Sequence, residues 1–329
     1  FVDPRLKRSL IIKNNMKYKI QKKYVGIYIS KDKLDVHCHS FHNIRSFPNS
    51  KLGIEKYLKS INKYSQFFNI IWENKGIYEK TLIKRAHELK VTISTINPRQ
   101  ARDFARAKGL LAKTDSIDAS VLTEYGETFA PKPLKPLSPT QEKLSAAVRR
   151  KDVLVRKLAV EKTALTKADD SFVKRSVKSS ITQLNKLIDR CEVRIKELIE
   201  SDDELMQKQL KIQQVKGIGP GASALLIAEF PELGNISDKQ AASLAGLAPF
   251  NRDSGKWRGS RSIHGGRSLV RRGLYMPAIC ASQHNPILSA FYKKLRDKNK
   301  SHHVAVVAVM RKIICLLNRI LSDPNFRPA

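Results

Sequence analysis

Tyr24-Val-Gly-Ile-Tyr-Ile-Ser30, Lys31-Asp-Lys33 and Leu34-Asp-Val-His-Cys-His39 decide the fold. The first stretch is a continuous apolar run and reads as a buried strand. The second is a polar turn. The third alternates apolar and polar residues and reads as the return strand of a hairpin. A third strand is expected around Ile44 to Phe47. Beyond it, Ile54 to Ile61 has helical spacing, and Phe68 to Trp72 is a further apolar strand running into Glu73. Tyr78 to Leu89 reads as a helix and Val91 to Ile96 as a strand closed by Asn97-Pro98. Arg99 to Lys108 is a basic helix. Asp115 to Glu127 is another, starting near Thr114 or Asp115. Strands first, then strand and helix in alternation, indicate an α/β domain with a mixed sheet.

Pro131-Lys-Pro-Leu-Lys-Pro-Leu-Ser-Pro139 breaks this pattern and marks a boundary. From Gln141 to Gln209 there is neither Pro nor Gly, and apolar residues recur every three or four positions. That spacing predicts long helix, as an antiparallel pair or coiled coil, serving as a structural arm or for oligomerisation. A second compact, mainly helical region starts near Ile212. Helices are expected over Ala222 to Glu229, Ala241 to Ala248, Arg267 to Ser282, Ile287 to Arg296 and Val304 to Leu321.

Lys and Arg total 62 against 30 Asp and Glu, a formal charge of +32. Such a surplus repels itself until a polyanion neutralises it, so nucleic acid is the expected partner. No apolar run reaches the length needed to span a bilayer, and no signal-peptide pattern is present. Cys38, Cys191, Cys280 and Cys315 form no CxxC pair, which favours free thiols in a reducing compartment. A cytoplasmic, DNA-associated protein without a membrane partner is expected.

Four constellations are candidates for chemistry. Glu73 follows an apolar strand, where active-site carboxylates of α/β sheets often lie. Asp115 and Asp118 share a helix face. Together these acids have the oxygen donors that Mg2+ or Mn2+ prefers, although Asp115 is equally suited to capping a helix. Ser254 sits beside Gly255 in a loop with Arg252, Lys256, Arg258 and Arg261, followed by Arg267, Arg271 and Arg272. A serine hydroxyl in so positive a setting suits attack on phosphorus, and Trp257 suits base stacking. A phosphate-gripping loop without covalent chemistry has the same composition. Gly217-Ile-Gly219-Pro-Gly221 before a helix resembles the hairpin of helix-hairpin-helix modules, or is an ordinary tight turn. His37-Cys-His39 lies on a strand, with the imidazoles on one side and the thiol on the other, and no second ligand pair suggests zinc.

Five segments in order resemble the DEDD-type transposases of bacterial insertion sequences, the bridge-RNA-guided recombinase family. They are Val25 to Val36, Trp72 to Glu79, Asn97 to Ala107, Ala112 to Ala119 and Leu244 to Gly259. The resemblance implies a RuvC-like, RNase H-like metal domain over residues 21–130, after an N-terminal extension (1–20) expected to be poorly ordered. A Pro-rich linker and helical arm would cover 131–210. A serine transposase domain would cover 211–300, and a C-terminal helix and tail 301–329. It implies DNA strand cleavage and exchange, with Glu73, Asp115 and Asp118 as metal ligands and Ser254 as the nucleophile that becomes joined to DNA. Arg99, Arg102, Gly217, Gly219, Arg252, Lys256, Trp257, Arg258, Arg261, Arg267, Arg271 and Arg272 would contact nucleic acid. A structured guide RNA and a homo-oligomer, dimer or tetramer, are further implications. One position departs from the pattern: Tyr28 stands where the family has its first acid, and a phenol is a poor ligand at neutral pH. Asp32 and Asp35 are nearby, but hairpin geometry is expected to keep both out of the site. Weakened metal binding follows, and Tyr28→Asp is expected to restore or raise strand exchange. A decayed nucleic-acid-binding remnant and a RuvC-like metal-dependent endonuclease are the alternatives.

Overall fold

The computed structural model describes residues 23–39, 41–62, 68–74, 76, 78–112, 114–250, 253–254, 257–259, 261–323 and 325–326. The expected N-terminal extension lies outside the described residues, as do Arg252 and Lys256. The chain forms two compact units, Phe1–Pro136 and Leu137–Ala329.

In the first unit, β1 (Lys23–Ile29), β2 (Lys33–Cys38) and β3 (Phe41–Pro48) form an antiparallel meander. Helix α1 (Lys51–Asn62) leads to β4 (Phe68–Glu73), which pairs parallel with β1. Helix α2 (Lys80–Glu88) leads to β5 (Thr92–Ile96), parallel to β4. The sheet order is β3-β2-β1-β4-β5, mixed as expected. Two further helices follow, α3 (Pro98–Ala107) and α4 (Asp115–Phe129). The pleat sends alternate residues to opposite faces. Val25, Ile27 and Ile29 enter one core with Ile54, Tyr57 and Leu58 of α1 and with Leu82 and Ala86 of α2. Tyr24 turns to the other face, where it joins Ile71, Ile96 and Leu122 of α4.

Helix α4 lies unusually close to the sheet. A Cβ on Gly26 would sit 2.1 Å from the Ala119 carbonyl oxygen, so only glycine allows this approach. The Gly26 N–H donates to Thr123 Oγ1 at 3.0 Å, and the same hydroxyl lies 2.9 Å from His37 Nδ1. Thr123 is fully buried and ties α4 to both β1 and β2. The Pro-rich boundary begins docked to this unit. Leu134 N–H donates to the Ile93 carbonyl at 2.7 Å, and its side chain packs on the larger core.

The second unit is almost wholly helical. The stretch over Gln141 to Gln209, expected as an antiparallel pair or coiled coil, forms three helices: α5 (Pro139–Lys167), α6 (Ser171–Glu200) and α7 (Asp203–Gln213). Asp170 accepts from the N–H groups of Phe172 and Val173, and Asp202 accepts from Leu205 N–H; each restarts a helix after a break. The α5–α6 pair is antiparallel, with Lys151 bonded to Glu192 at 2.7 Å. Helices of 29 and 30 residues reach about 45 Å at ~1.5 Å per residue. Then come α8 (Pro220–Glu229), α9 (Asp238–Leu244), α10 (Ser268–His284), α11 (Pro286–Asp297) and α12 (His302–Ser322). Four two-residue strands lie between α9 and α10: β6 (Pro249–Phe250), β7 (Asp253–Ser254), β8 (Trp257–Arg258) and β9 (Ser262–Ile263). The base of the arm (Leu144, Val148, Ile195, Leu198, Ile199) shares one core with α8, α10 and α12. No helix among the described residues is long and apolar enough to cross a membrane.

Candidate functional site

The acidic residues gather on the α4 face of the sheet. Tyr28 follows Tyr24 and Gly26 by the two-residue repeat and so faces α4 as they do. Its antiparallel partner is Asp35. Directly paired residues of two strands project to the same side, so Asp35 also faces α4. Glu73 ends β4, two residues beyond the α4-facing Ile71, and shares that face. Helix α4 adds Asp115 and Asp118 in its first turn, with Thr114 Oγ1 accepting from Ile117 N–H as the cap. Carboxylates there are favoured by the helix dipole, independent of any ligand.

These acids divide into two groups. Glu73 and Asp118 line one cavity of about 160 Å3, with Arg102, Ala101 and Ala105 of α3 and Val121 and Leu122 of α4. Asp115 belongs to the other group. Its carboxylate lies 3.0 Å from Lys33 Nζ, which lies 2.9 Å from Asp35. The carboxylates of Asp35 and then Asp115 beside it push the Lys33 ammonium up to about 12, so it stays charged across the neutral range. Asp35 is only 5% exposed. The expectation that the hairpin keeps Asp35 out of the site is therefore corrected: the pairing with Tyr28 turns it inward, while Asp32 is exposed. Sequence reasoning missed Lys33 as well. The signal for both was the turn length, since a symmetrical hairpin through Lys31 and Asp32 sets Tyr28 opposite Asp35.

The expected divalent cation does not fit this arrangement. Among the described residues no three His, Cys, Asp or Glu side chains come together as metal ligands. The cavity offers two carboxylates, β1 presents the Tyr28 phenol to this face, and Asp115 is held by an ammonium. Arg102 lines the same cavity and donates to the Leu111 carbonyl at 3.2 Å. Arg99 is 77% exposed in the first turn of α3, beside Asp103 at 3.8 Å. His37 and His39 meet edge to face at 5.2 Å. Burial, with His39 adding to it, lowers the His37 imidazole below its ordinary value.

In the second unit, Ser254 lies on β7 and pairs with Trp257 on β8, next to the Asp253–Arg258 pair. The hairpin is enclosed by β6 and β9, whose pairs are Pro249–Ile263 and Phe250–Ser262. Arg261 is exposed just beyond it. Three other expected contact arginines spend donors inside the fold. Arg267 grips Glu232 with both terminal nitrogens (2.7 and 2.6 Å) and donates to the Glu229 carbonyl. Arg271 donates to the Gly265 carbonyl at 2.6 Å and pins the loop against Gly246. Arg272, half exposed, pairs with Asp152 of α5 at 3.0 Å. The first of these is a structural clamp. Gly217 has φ +104°, and a Cβ there would lie 2.7 Å from Ala281, so its glycine serves a tight turn against α10. Gly219 precedes α8 and faces open space.

The family model described as Transposase matches residues 25–172, and that described as Transposase IS116/IS110/IS902 family matches residues 210–293. The chain is similar to the pilin gene-inverting proteins of Moraxella bovis and Moraxella lacunata. Each is 28% identical over 314 residues, 92% of this chain and 97% of the relative. It is also similar to the 43.6 kDa protein of insertion element IS110 from Streptomyces coelicolor, 25% identical over 158 residues, which span 46% of this chain and 37% of the relative. The first match covers the sheet-bearing unit with its acids and runs on through α5, the second covers the part of the helical unit that holds the serine hairpin, and the chain belongs to the DEDD-type IS110 family of transposases.

Proposed function

We propose that this chain is a DNA strand-exchange enzyme of an insertion sequence, with Ser254 as its nucleophile. The observation that carries this reading is the serine hairpin. Ser254 is paired on a short ribbon inside a loop whose sequence supplies Arg252, Lys256, Arg258 and Arg261. In the proposed step Ser254 Oγ bonds to a backbone phosphorus, a deoxyribose oxygen leaves as the hydroxyl of a broken strand, and the serine proton ends on that hydroxyl. Attack by a hydroxyl of another strand reverses the step and frees the serine, so no bond energy is lost. The arginines would neutralise charge growing on the phosphate oxygens.

The strand order β3-β2-β1-β4-β5 with helices on both faces supports an RNase H-like reading of the first unit. Mg2+ or Mn2+ is the ion that its oxygen donors would select. As folded, the acids of the described residues form no such cage, and the bond to phosphorus is made by Ser254. A guide RNA and a homo-oligomer are part of the proposal. The surplus charge supports the first and the apolar arm the second.

Ser254→Ala is expected to abolish a covalent protein–DNA adduct, read as a gel-shifted band that survives denaturant, while leaving DNA binding within about twofold. An adduct that persists in Ser254→Ala would remove the nucleophile assignment. Tyr28 favours a second reading, a nucleic-acid-binding member without catalysis. Wild-type protein that forms no adduct, beside a Tyr28→Asp variant that does, would establish it. Free DNA ends formed without Ser254 would indicate the metal-dependent endonuclease instead.

A further inference from the structure

Asp35 carries a buried carboxylate, and a buried charge is tolerated only when it is paired. Its cross-strand partner Tyr28 offers a phenol rather than a charge. The charge comes instead from Lys33, two residues back on the same strand. Side chains at this spacing lie on the same side, so the ammonium also reaches the first turn of α4, where it meets Asp115. One cation thus sits between two carboxylates from different elements, at 2.9 and 3.0 Å, at the edge of the acidic face. A bridging divalent ion would neutralise the same two groups.

We propose that Lys33 is a built-in counter-cation of this site, holding Asp35 and Asp115 against a divalent metal, and that Asp35 is the carboxylate the sheet offers in place of Tyr28. This rests on the reading of the α4 face as the family's acidic site. It also accounts for the misfit of metal to these residues. The acids are present on one face, but a lysine has taken the place of an ion. Lys33 is about half exposed, so its removal empties the position without opening the core.

The test is direct binding of Mn2+ to the full chain, followed by the loss of the free-ion EPR signal and by calorimetry. Wild type is expected to bind weakly. Lys33→Met keeps the aliphatic stem and removes the charge. Deleting one unit charge about 4 Å from a cation at a partly exposed site should tighten Mn2+ by at least about tenfold. Adding Asp35→Asn to Lys33→Met should cancel that gain. Lys33→Gln, which keeps a hydrogen-bond donor, serves as the second variant if Lys33→Met unfolds, with far-UV circular dichroism as the check. Binding no tighter than wild type in a folded charge-removed variant overturns the proposal. So does tight binding that survives Asp35→Asn. The Ser254 adduct assay is separate. Loss of the adduct reading with the Mn2+ pattern intact leaves Lys33 as the counter-cation of a silent acidic site, whereas an active enzyme without that pattern refutes only the role given to Lys33.

Discussion

Arg267 shows what a charge does once the chain has folded. Read from sequence it belongs to the run of arginines behind Ser254, available to phosphate. Folded, its guanidinium forks onto Glu232 and stands 5.1 Å over the Phe230 ring. Burial pushes the Glu232 carboxyl up, but the bonds from Arg267 outweigh it and hold the group below its ordinary value. A carboxylate depressed in the folded state contributes stability that is present above its unfolded pKa and is lost as pH falls through the folded one. Arg267→Met is therefore expected to cost about 1–2 kcal/mol near neutrality, discounted for partial exposure. The difference from wild type should shrink on acidification below about pH 4, where Glu232 is protonated in the unfolded chain. Urea midpoints for the two proteins at pH 7 and pH 3 read this out, and an equal loss at both would rule out the ion pair as the cause. Lys33 and Asp35 make the same point. The turn through Lys31 and Asp32 places Asp35 opposite Tyr28, but that two acids share one lysine follows from how close α4 lies, which Gly26 and Thr123 set. Glu73, Asp115 and Asp118 were legible only as one acidic set; that Glu73 and Asp118 line one cavity while Asp115 goes to Lys33 depends on where the first turn of α4 meets the sheet.

The strands and helices of the first unit follow the hydrophobic period closely, because each strand is an apolar run cut off by polar turns. The long helices did not read as well. Periodicity continues through Ala168 to Asp170 and through Ser201 to Asp202 without Pro or Gly, so the breaks are marked only by capping aspartates. An aspartate at a helix start looks like any surface acid until the backbone N–H groups it serves are known. Within the arm, burial is uneven. Leu154 is the last buried residue of α5, and on α6 burial resumes only at Ile188. Between them Val160 is 68% exposed and Phe172 71%. Apolar side chains on an unsupported two-helix hairpin are suited to a second copy of the same hairpin. Replacing Val160 and Phe172 by Ser should leave the core, and so the melting temperature, nearly unchanged. It should shift the chain toward monomer in sedimentation equilibrium by about tenfold or more in dissociation constant, since each buried apolar side chain contributes about 1.5–3 kcal/mol. Unchanged association would assign the arm to nucleic acid or to a purely structural role.

The charge of the whole chain decides how it meets DNA. Cations exceed anions by 32 over 329 residues. Not every cation is open to phosphate: Lys33, Arg85, Arg267 and Arg272 are each committed to carboxylates of the fold. Arg261 and the exposed lysines of the arm are among those left facing solvent. Binding by the remainder releases counterions from DNA, and the logarithm of affinity then falls linearly with the logarithm of salt, by about 0.9 per phosphate neutralised. If six to ten phosphates are engaged, affinity for a short duplex should fall by about 10³–10⁵ between 50 and 200 mM salt. Ser254→Ala should lie on the same line as wild type, because a hydroxyl releases no counterion. Arg261→Ala should lower the slope by about one phosphate's worth, whereas Arg267→Met should leave it unchanged, its charge being already spent on Glu232. Fluorescence anisotropy across a salt series separates these cases. A slope lowered by Arg267→Met but not by Arg261→Ala would mean that the clamp opens on DNA, and that the arginines exposed in the free chain are not the ones that hold the duplex.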